Sequence, residues 1–176
     1  MTVNFNSKRV AATDIISLIF YPEQLFSKEE SEVLRNVGAR NTTLHLEYGL
    51  DNRMLVTWQY RGWNIEGVPD QVLDDMVVEG KVVSRYSNVN MLAATAWLQA
   101  FIYAKALGFQ KFRIVLFDTE LKPVLEKTFN VRTEERKALF FIDRAIGILE
   151  EIKRLYESGR QAHNLINQNS LLEVEG

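Results

Sequence analysis

The sequence predicts an α+β fold: a mostly antiparallel sheet of 4-6 strands packed against two long helices, about 90-107 and 134-157, with short N-terminal helices before them. Three observations carry this expectation. Apolar residues recur three and four apart from Met91 to Leu107, and again from Leu139 to Tyr156, as two buried helix faces require. Residues 42 to 60 instead alternate apolar and polar with a period of two. The helical and alternating segments do not follow a strict β-α rhythm, which favours separate hairpins and helices over a doubly wound sheet.

In chain order, residues 1 to 9 read as a polar start. Val10, Ile15, Ile16, Leu18 and Ile19 mark a short helix, with Thr13 or Asp14 as its cap and Pro22 as its stop. Ser27 and Glu30 match a capping box, opening a helix that runs through Val33, Leu34 and Val37 to Gly38. In Thr42 to Tyr48, Leu44, Leu46 and Tyr48 alternate with Thr43, His45 and Glu47. In Arg53 to Tyr60, Met54, Val56, Trp58 and Tyr60 share one face. Gly49 to Asn52 between them is turn chemistry, so the spacing predicts a β-hairpin. Arg61 to Gly67 continues as a short strand or loop. Pro69 and Asp70 open a short helix that points Val72, Leu73, Met76 and Val77 inward and stops at Gly80. Lys81 to Tyr86 is a further strand candidate.

The central unit follows. Leu92, Ala93, Ala96, Trp97, Ala100, Phe101, Ala104 and Leu107 make a helix that is apolar nearly all round, with Asn90 at its start and Gly108 at its stop. Phe112 to Phe117 is a buried strand. From Asp118 to Phe129 the chain is either a return strand or a helix. The return strand is favoured because Pro123 suits a strand start and Thr128 and Phe129 have β character. Thr133 caps the last helix, with Glu134 and Glu135 in its first turn. The organisation is one globular domain over 1-158 and a polar, amide-rich tail over 159-176, read as mobile.

Composition limits the function classes. Of 176 residues, 47% are apolar, and 21 basic residues face 23 acidic ones, for a net charge of −2. So balanced a charge offers no global attraction for nucleic acid or anionic membranes. There is no cysteine, which removes disulfides, thiolate metal sites and cysteine nucleophiles and suits a reducing, cytoplasmic setting. Asp14 interrupts the only N-terminal apolar run, so no signal peptide is expected, and no run reaches the ~20 residues of a membrane span. The two histidines, His45 and His163, have no ligand-spaced partners, and no glycine-rich phosphate loop occurs. No catalytic residue, metal or cofactor is therefore expected.

The richest local cluster is Trp58, Gln59, Tyr60, Arg61, Gly62 and Trp63. Aromatics interleaved with arginine stack flat ligands. Alternation buries Trp58 and Tyr60, leaving Arg61 and Trp63 as ligand- or partner-binding candidates, with Arg53 and Arg85 beside them. Asp118 ends the central strand and reads as a turn residue rather than an acid of a site.

Met91 to Trp97, Lys105 to Gly108, Phe112 to Phe117 and Asp118-Thr119 together resemble the helix-strand-Asp unit of ribonuclease-H-like domains. That resemblance implies two-metal nucleic-acid cleavage by clustered carboxylates. The sequence departs from it where the family's helix glutamate would fall, because Met91 to Ala94 holds no acid. The expected function is a non-enzymatic binding or regulatory protein acting through a homodimeric or larger surface. The alternative is a nucleotide- or nucleic-acid-binding domain with incomplete carboxylates.

Overall fold

The computed structural model describes residues 3–22 and 32–172. In order these form β1 (Val3–Asn4), β2 (Arg9–Ala11), α1 (Ala12–Phe20), α2 (Glu32–Glu47), β3 (Val56–Tyr60), β4 (Trp63–Gly67), β5 (Gln71–Val72), β6 (Met76–Val83), α3 (Val89–Leu107), β7 (Lys111–Asp118), β8 (Pro123–Asn130) and α4 (Val131–Leu172). The fold is α+β, as the sequence predicts. The strands divide into two four-stranded sheets, ordered β1-β2-β4-β3 and β5-β6-β7-β8. Pairing is antiparallel except at β2–β4 and β6–β7.

Helix α3 joins the two sheets. It packs against β3, β6, β7, α1 and α4, and every residue from Thr95 to Tyr103 is buried, as is Ala104. That explains its apolar circumference: the helix lies inside one chain rather than between two. The argument for a second subunit that rests on α3 is thereby removed. Asn88, not Asn90, caps α3 by accepting the Met91 N–H, and Gly108 closes it in the left-handed conformation. Beyond the cap, β7 supplies Phe112, Ile114 and Leu116 to the main core, with Phe112 edge-on to Phe101 of α3 at 6.1 Å. The return strand is present as β8, paired with β7 through a turn in which Asp118 Oδ1 accepts the N–H groups of Glu120 and Lys122. Asp118 is thus a turn residue, as its type suggests.

Three expectations are corrected. Thr42 to Tyr48 is not a strand: through Glu47 it is the last part of α2. Leu44 and Tyr48 are four apart as well as alternating, so their spacing fits either period. Both pack on the face of β6 and β7 that carries Val78, Val115 and Phe117, while Leu46 is left exposed. The hairpin turn falls not at Gly49–Asn52 but at Arg61–Gly62, joining β3 to β4, with both residues at positive φ as a tight hairpin demands. Pro69 to Gly80 is not a helix. It forms β5, a turn in which the Leu73 N–H donates to the Met76 carbonyl, and β6. The Val77-Val78 and Val82-Val83 pairs suit a strand buried on both faces, and pairing with β7 over eight residues decides the matter. The capping box at Ser27 and Glu30 lies outside the described residues, and α2 passes through Gly38 without stopping. Helix α4 continues to Leu172, beyond the expected end near Glu157.

Candidate active site

Strand β6 has two differently used faces. Val77, Glu79 and Lys81 point toward α3, while Val78, Gly80 and Val82 lie on the α2 side. Gln71 pairs with Val78, and continuing that register by one residue sets Asp70 beside Glu79. Two side-chain bonds fasten this edge to the loop after α2: Asn52 Nδ2 donates to the Pro69 carbonyl at 2.9 Å, and Gln71 Nε2 to the Gly49 carbonyl at 3.3 Å.

Four polar side chains gather here. Asp70 Oδ2 accepts the Gly80 N–H at 2.7 Å, and Asp70 Oδ1 lies 3.6 Å from His45 Nδ1 of α2. That second distance is long for a hydrogen bond. Lys81 Nζ lies 2.7 Å from Glu79 Oε1 and donates to Gln99 Oε1 of α3 at 3.1 Å. Gln99 Nε2 in turn donates to the Tyr103 hydroxyl at 3.1 Å, so an i,i+4 polar pair inside an apolar helix holds the lysine from behind.

Charge is concentrated and half-covered. Glu79 is 1% exposed, whereas the side chains of Asp70, His45 and Lys81 keep 21%, 20% and 23% of their surface. Burial pushes the Glu79 carboxyl up to about 7, with Lys81 opposing and the Asp70 charge adding to the rise. Burial also acts to raise Asp70, but His45, Lys81 and the Gly80 N–H outweigh it and hold that carboxyl below its ordinary value. For Lys81, burial acts downward and the Glu79 and Asp70 carboxylates outweigh it, so the ammonium is kept charged. Burial raises the Tyr103 hydroxyl, which stays neutral.

Among the described residues, two buried polar atoms have no partner: Glu79 Oε2 and His45 Nε2. A buried carboxylate oxygen without a donor is costly, and a hard cation or a phosphate-bound donor satisfies it. Among the described residues, no three acidic or histidine side chains converge on one point as a ready-made cage. Magnesium does not need one, because it is commonly held by one or two carboxylates together with substrate phosphates and water. Asp70 and Glu79 fit that smaller donor set.

The candidates nominated from sequence lie elsewhere. Trp63 is fully buried, correcting the expectation of an exposed ring; its Nε1 donates to Glu150 of α4 at 2.8 Å. Arg61 pairs with Asp143 at 2.9 Å, and the same carboxylate accepts the Tyr60 hydroxyl at 2.8 Å. This aromatic hairpin therefore clasps α4, with Trp58 stacked on Tyr60 and only partly buried. Arg53 is exposed beside Asp51 at 3.8 Å. Arg85 sits four residues past Lys81 with its guanidinium over Tyr86. The residues that do gather, His45, Asp70, Glu79, Lys81, Gln99 and Tyr103, are not legible as a group when Asp70 to Gly80 is read as helix. As a strand, Glu79-Gly80-Lys81 puts an acid and a base on one face. Gln99 and Tyr103, polar and four apart within an apolar helix, were the second signal.

No family model and no curated protein matches the chain. Among solved structures it is similar in fold to a protein described as SSO0001, with a TM-score of 0.53, 14% identity, and coverage of 80% of this chain and 76% of that one. It is also similar to an alkaline exonuclease from Laribacter hongkongensis, LHK-Exo, with a TM-score of 0.50, 13% identity, and coverage of 90% and 95%. At such identities the likeness concerns the fold.

Proposed function

We propose that this chain is a divalent-metal-dependent nuclease whose active site is Asp70, Glu79 and Lys81, assisted by His45. The observation that carries this reading is the pairing of two carboxylates with a half-covered ammonium at one sheet edge, where, among the described residues, Glu79 Oε2 and His45 Nε2 have no partner. Asp70 and Glu79 would hold the cation, which supplies Lewis-acid polarisation of a phosphoryl oxygen. Lys81 brings a fixed positive charge to where negative charge grows on the phosphate, and Gln99 and Tyr103 keep its amine from swinging away. His45 keeps Asp70 ionised and oriented. The fold shared with an alkaline exonuclease supports the same reading. This reading departs from both sequence expectations, a non-enzymatic binding protein and a nucleic-acid-binding domain with incomplete carboxylates, and draws its acids from Asp70 and Glu79 rather than from the ribonuclease-H-like unit.

The test is incubation with linear double-stranded DNA, single-stranded DNA and RNA in magnesium or manganese, beside an EDTA control. Cleavage is expected with metal, and is expected to fall at least about 100-fold in Asp70→Asn and in Lys81→Ala, the scale seen when one electrostatic stabiliser is removed. A second reading, a nucleic-acid-binding domain that does not cleave, draws on the lack of a three-ligand cage. Binding without cleavage under every metal tested would establish it and end the nuclease proposal.

A further inference from the structure

After Lys81, β6 runs two residues to Val83 and then turns through Ser84, Arg85 and Tyr86 before α3 begins. That turn walls a groove of about 520 Å³, completed by Arg40 of α2 and by Asp118 and Thr119 at the end of β7. Tyr86 is 82% exposed, and the Arg85 guanidinium carbon lies 4.6 Å from its ring centroid. The turn is internally braced: Ser87 Oγ accepts the Ser84 N–H at 2.9 Å and lies 3.1 Å from Ser84 Oγ. The ring is therefore presented on an ordered support. Among the described residues, no carboxylate pairs with Arg40 or Arg85. The one acid in the wall, Asp118, turns its carboxylate to the Glu120 and Lys122 N–H groups of its own loop.

The groove and the acid cluster share two elements, α2 and β6. Arg40 precedes His45 by five residues of α2, about 7.5 Å along a helix. Val83 follows Lys81 by two residues of β6, about 6.6 Å along a strand. Both offsets correspond to about two nucleotides of a stacked strand. Resting on the nuclease reading for its orientation, we propose that this groove binds the single-stranded nucleotides flanking the phosphate at the Asp70–Glu79–Lys81 cluster. One base stacks on Tyr86, and the neighbouring phosphates lie against Arg40 and Arg85. Single strands are specified because the face of Tyr86 engages the face of a base, which neighbouring bases cover in an intact duplex.

The experiment measures binding of a fluorescein-labelled 12-nucleotide single-stranded DNA by anisotropy in EDTA, so that the readout does not depend on cleavage. Tyr86→Ala is expected to weaken binding about 10- to 100-fold, the range for one lost stacking platform, and Tyr86→Phe to preserve it. Arg40→Ala with Arg85→Ala is expected to shallow the salt dependence by about 1.4, as for two phosphate contacts to a single strand. Unchanged melting temperatures confirm that these exposed positions act on binding. Wild-type protein that does not bind the oligonucleotide, or variants that bind it as wild type does, would overturn the proposal. Magnesium-dependent cleavage assayed in parallel separates the two readings. If Asp70→Asn abolishes cleavage while the groove variants bind normally, only the groove falls. If the groove variants lose binding while no metal supports cleavage, only the nuclease falls.

Discussion

Glu79 is the residue on which the chemistry of the site turns. Its unfolded-state carboxyl ionises near 4.5, and burial lifts the native value to about 7. Between those two values the native state holds a proton that the unfolded chain has released. Stability therefore falls as pH rises across that window and levels above it. Glu79→Gln removes this linkage, so the wild-type curve should slope downward from pH 4.5 to 7 relative to the variant. Chemical denaturation of both proteins at several pH values checks it, and parallel curves would mean that Glu79 is not held protonated. Asp70 acts with the opposite sign: its lowered native value contributes stability that is lost in acid, as pH falls below the ordinary aspartate value of 3.8. On the proposed nuclease reading ionised Glu79 would be the cation-binding form, so cleavage is expected to rise with pH through about 7.

At the scale of elements, the placing of Lys81 depends on how closely α3 approaches the first sheet. A Cβ at Gly67 of β4 would lie 2.5 Å from the Tyr103 hydroxyl oxygen and 2.7 Å from its ring. A buried aromatic ring cannot yield as a flexible chain end does. Gly67→Ala is expected to cost about 1–3 kcal/mol by overpacking, or about 2–4 °C of melting temperature per kcal/mol in a chain of this size. It should also reduce cleavage, because Tyr103 holds Gln99 and Gln99 holds Lys81. Gly147→Ala in α4 meets nothing within 4 Å and is expected to stabilise by about 0.5–1 kcal/mol, since a helix interior favours alanine. Equal melting temperatures for the two variants would refute the close-packing argument. The same scale explains what was illegible. Leu44 and Tyr48 satisfied two periods at once, and Val72, Leu73, Met76 and Val77 could be read as a helix face until β6 was seen paired along β7.

For the whole molecule, the candidate site is a seam. Asp70 comes from the edge before β5, Glu79 and Lys81 from β6, His45 from α2 and Gln99 from α3. A cation that binds only where these elements are assembled stabilises the native state by mass action, by about 2.7 kcal/mol at a hundredfold excess over Kd. Manganese is therefore expected to raise the melting temperature of the wild type and to leave Asp70→Asn and Glu79→Gln unmoved. An equal rise in all three would place the cation elsewhere. No described helix is long and apolar enough to cross a membrane.

The sequence by itself determined the α+β class, the central helix with its glycine stop and the long last helix, and it favoured the β7–β8 hairpin over a helix. These are local features: unbroken 3.6-residue periodicity, β-branched runs and turn residues report on their own neighbourhood. Tertiary structure decided what Asp70 to Gly80 became, because a short mixed segment has no strong preference and takes the conformation that lets β6 pair with β7 on one edge and β5 on the other. It decided the site for the same reason. Glu79 and Lys81 are two residues apart and face one way only in a strand, and Asp70 and His45 reach them only across a sheet edge and a helix. It also put Trp63 in the core, since the Arg61–Gly62 turn folds that ring under α4, where its indole N–H meets Glu150.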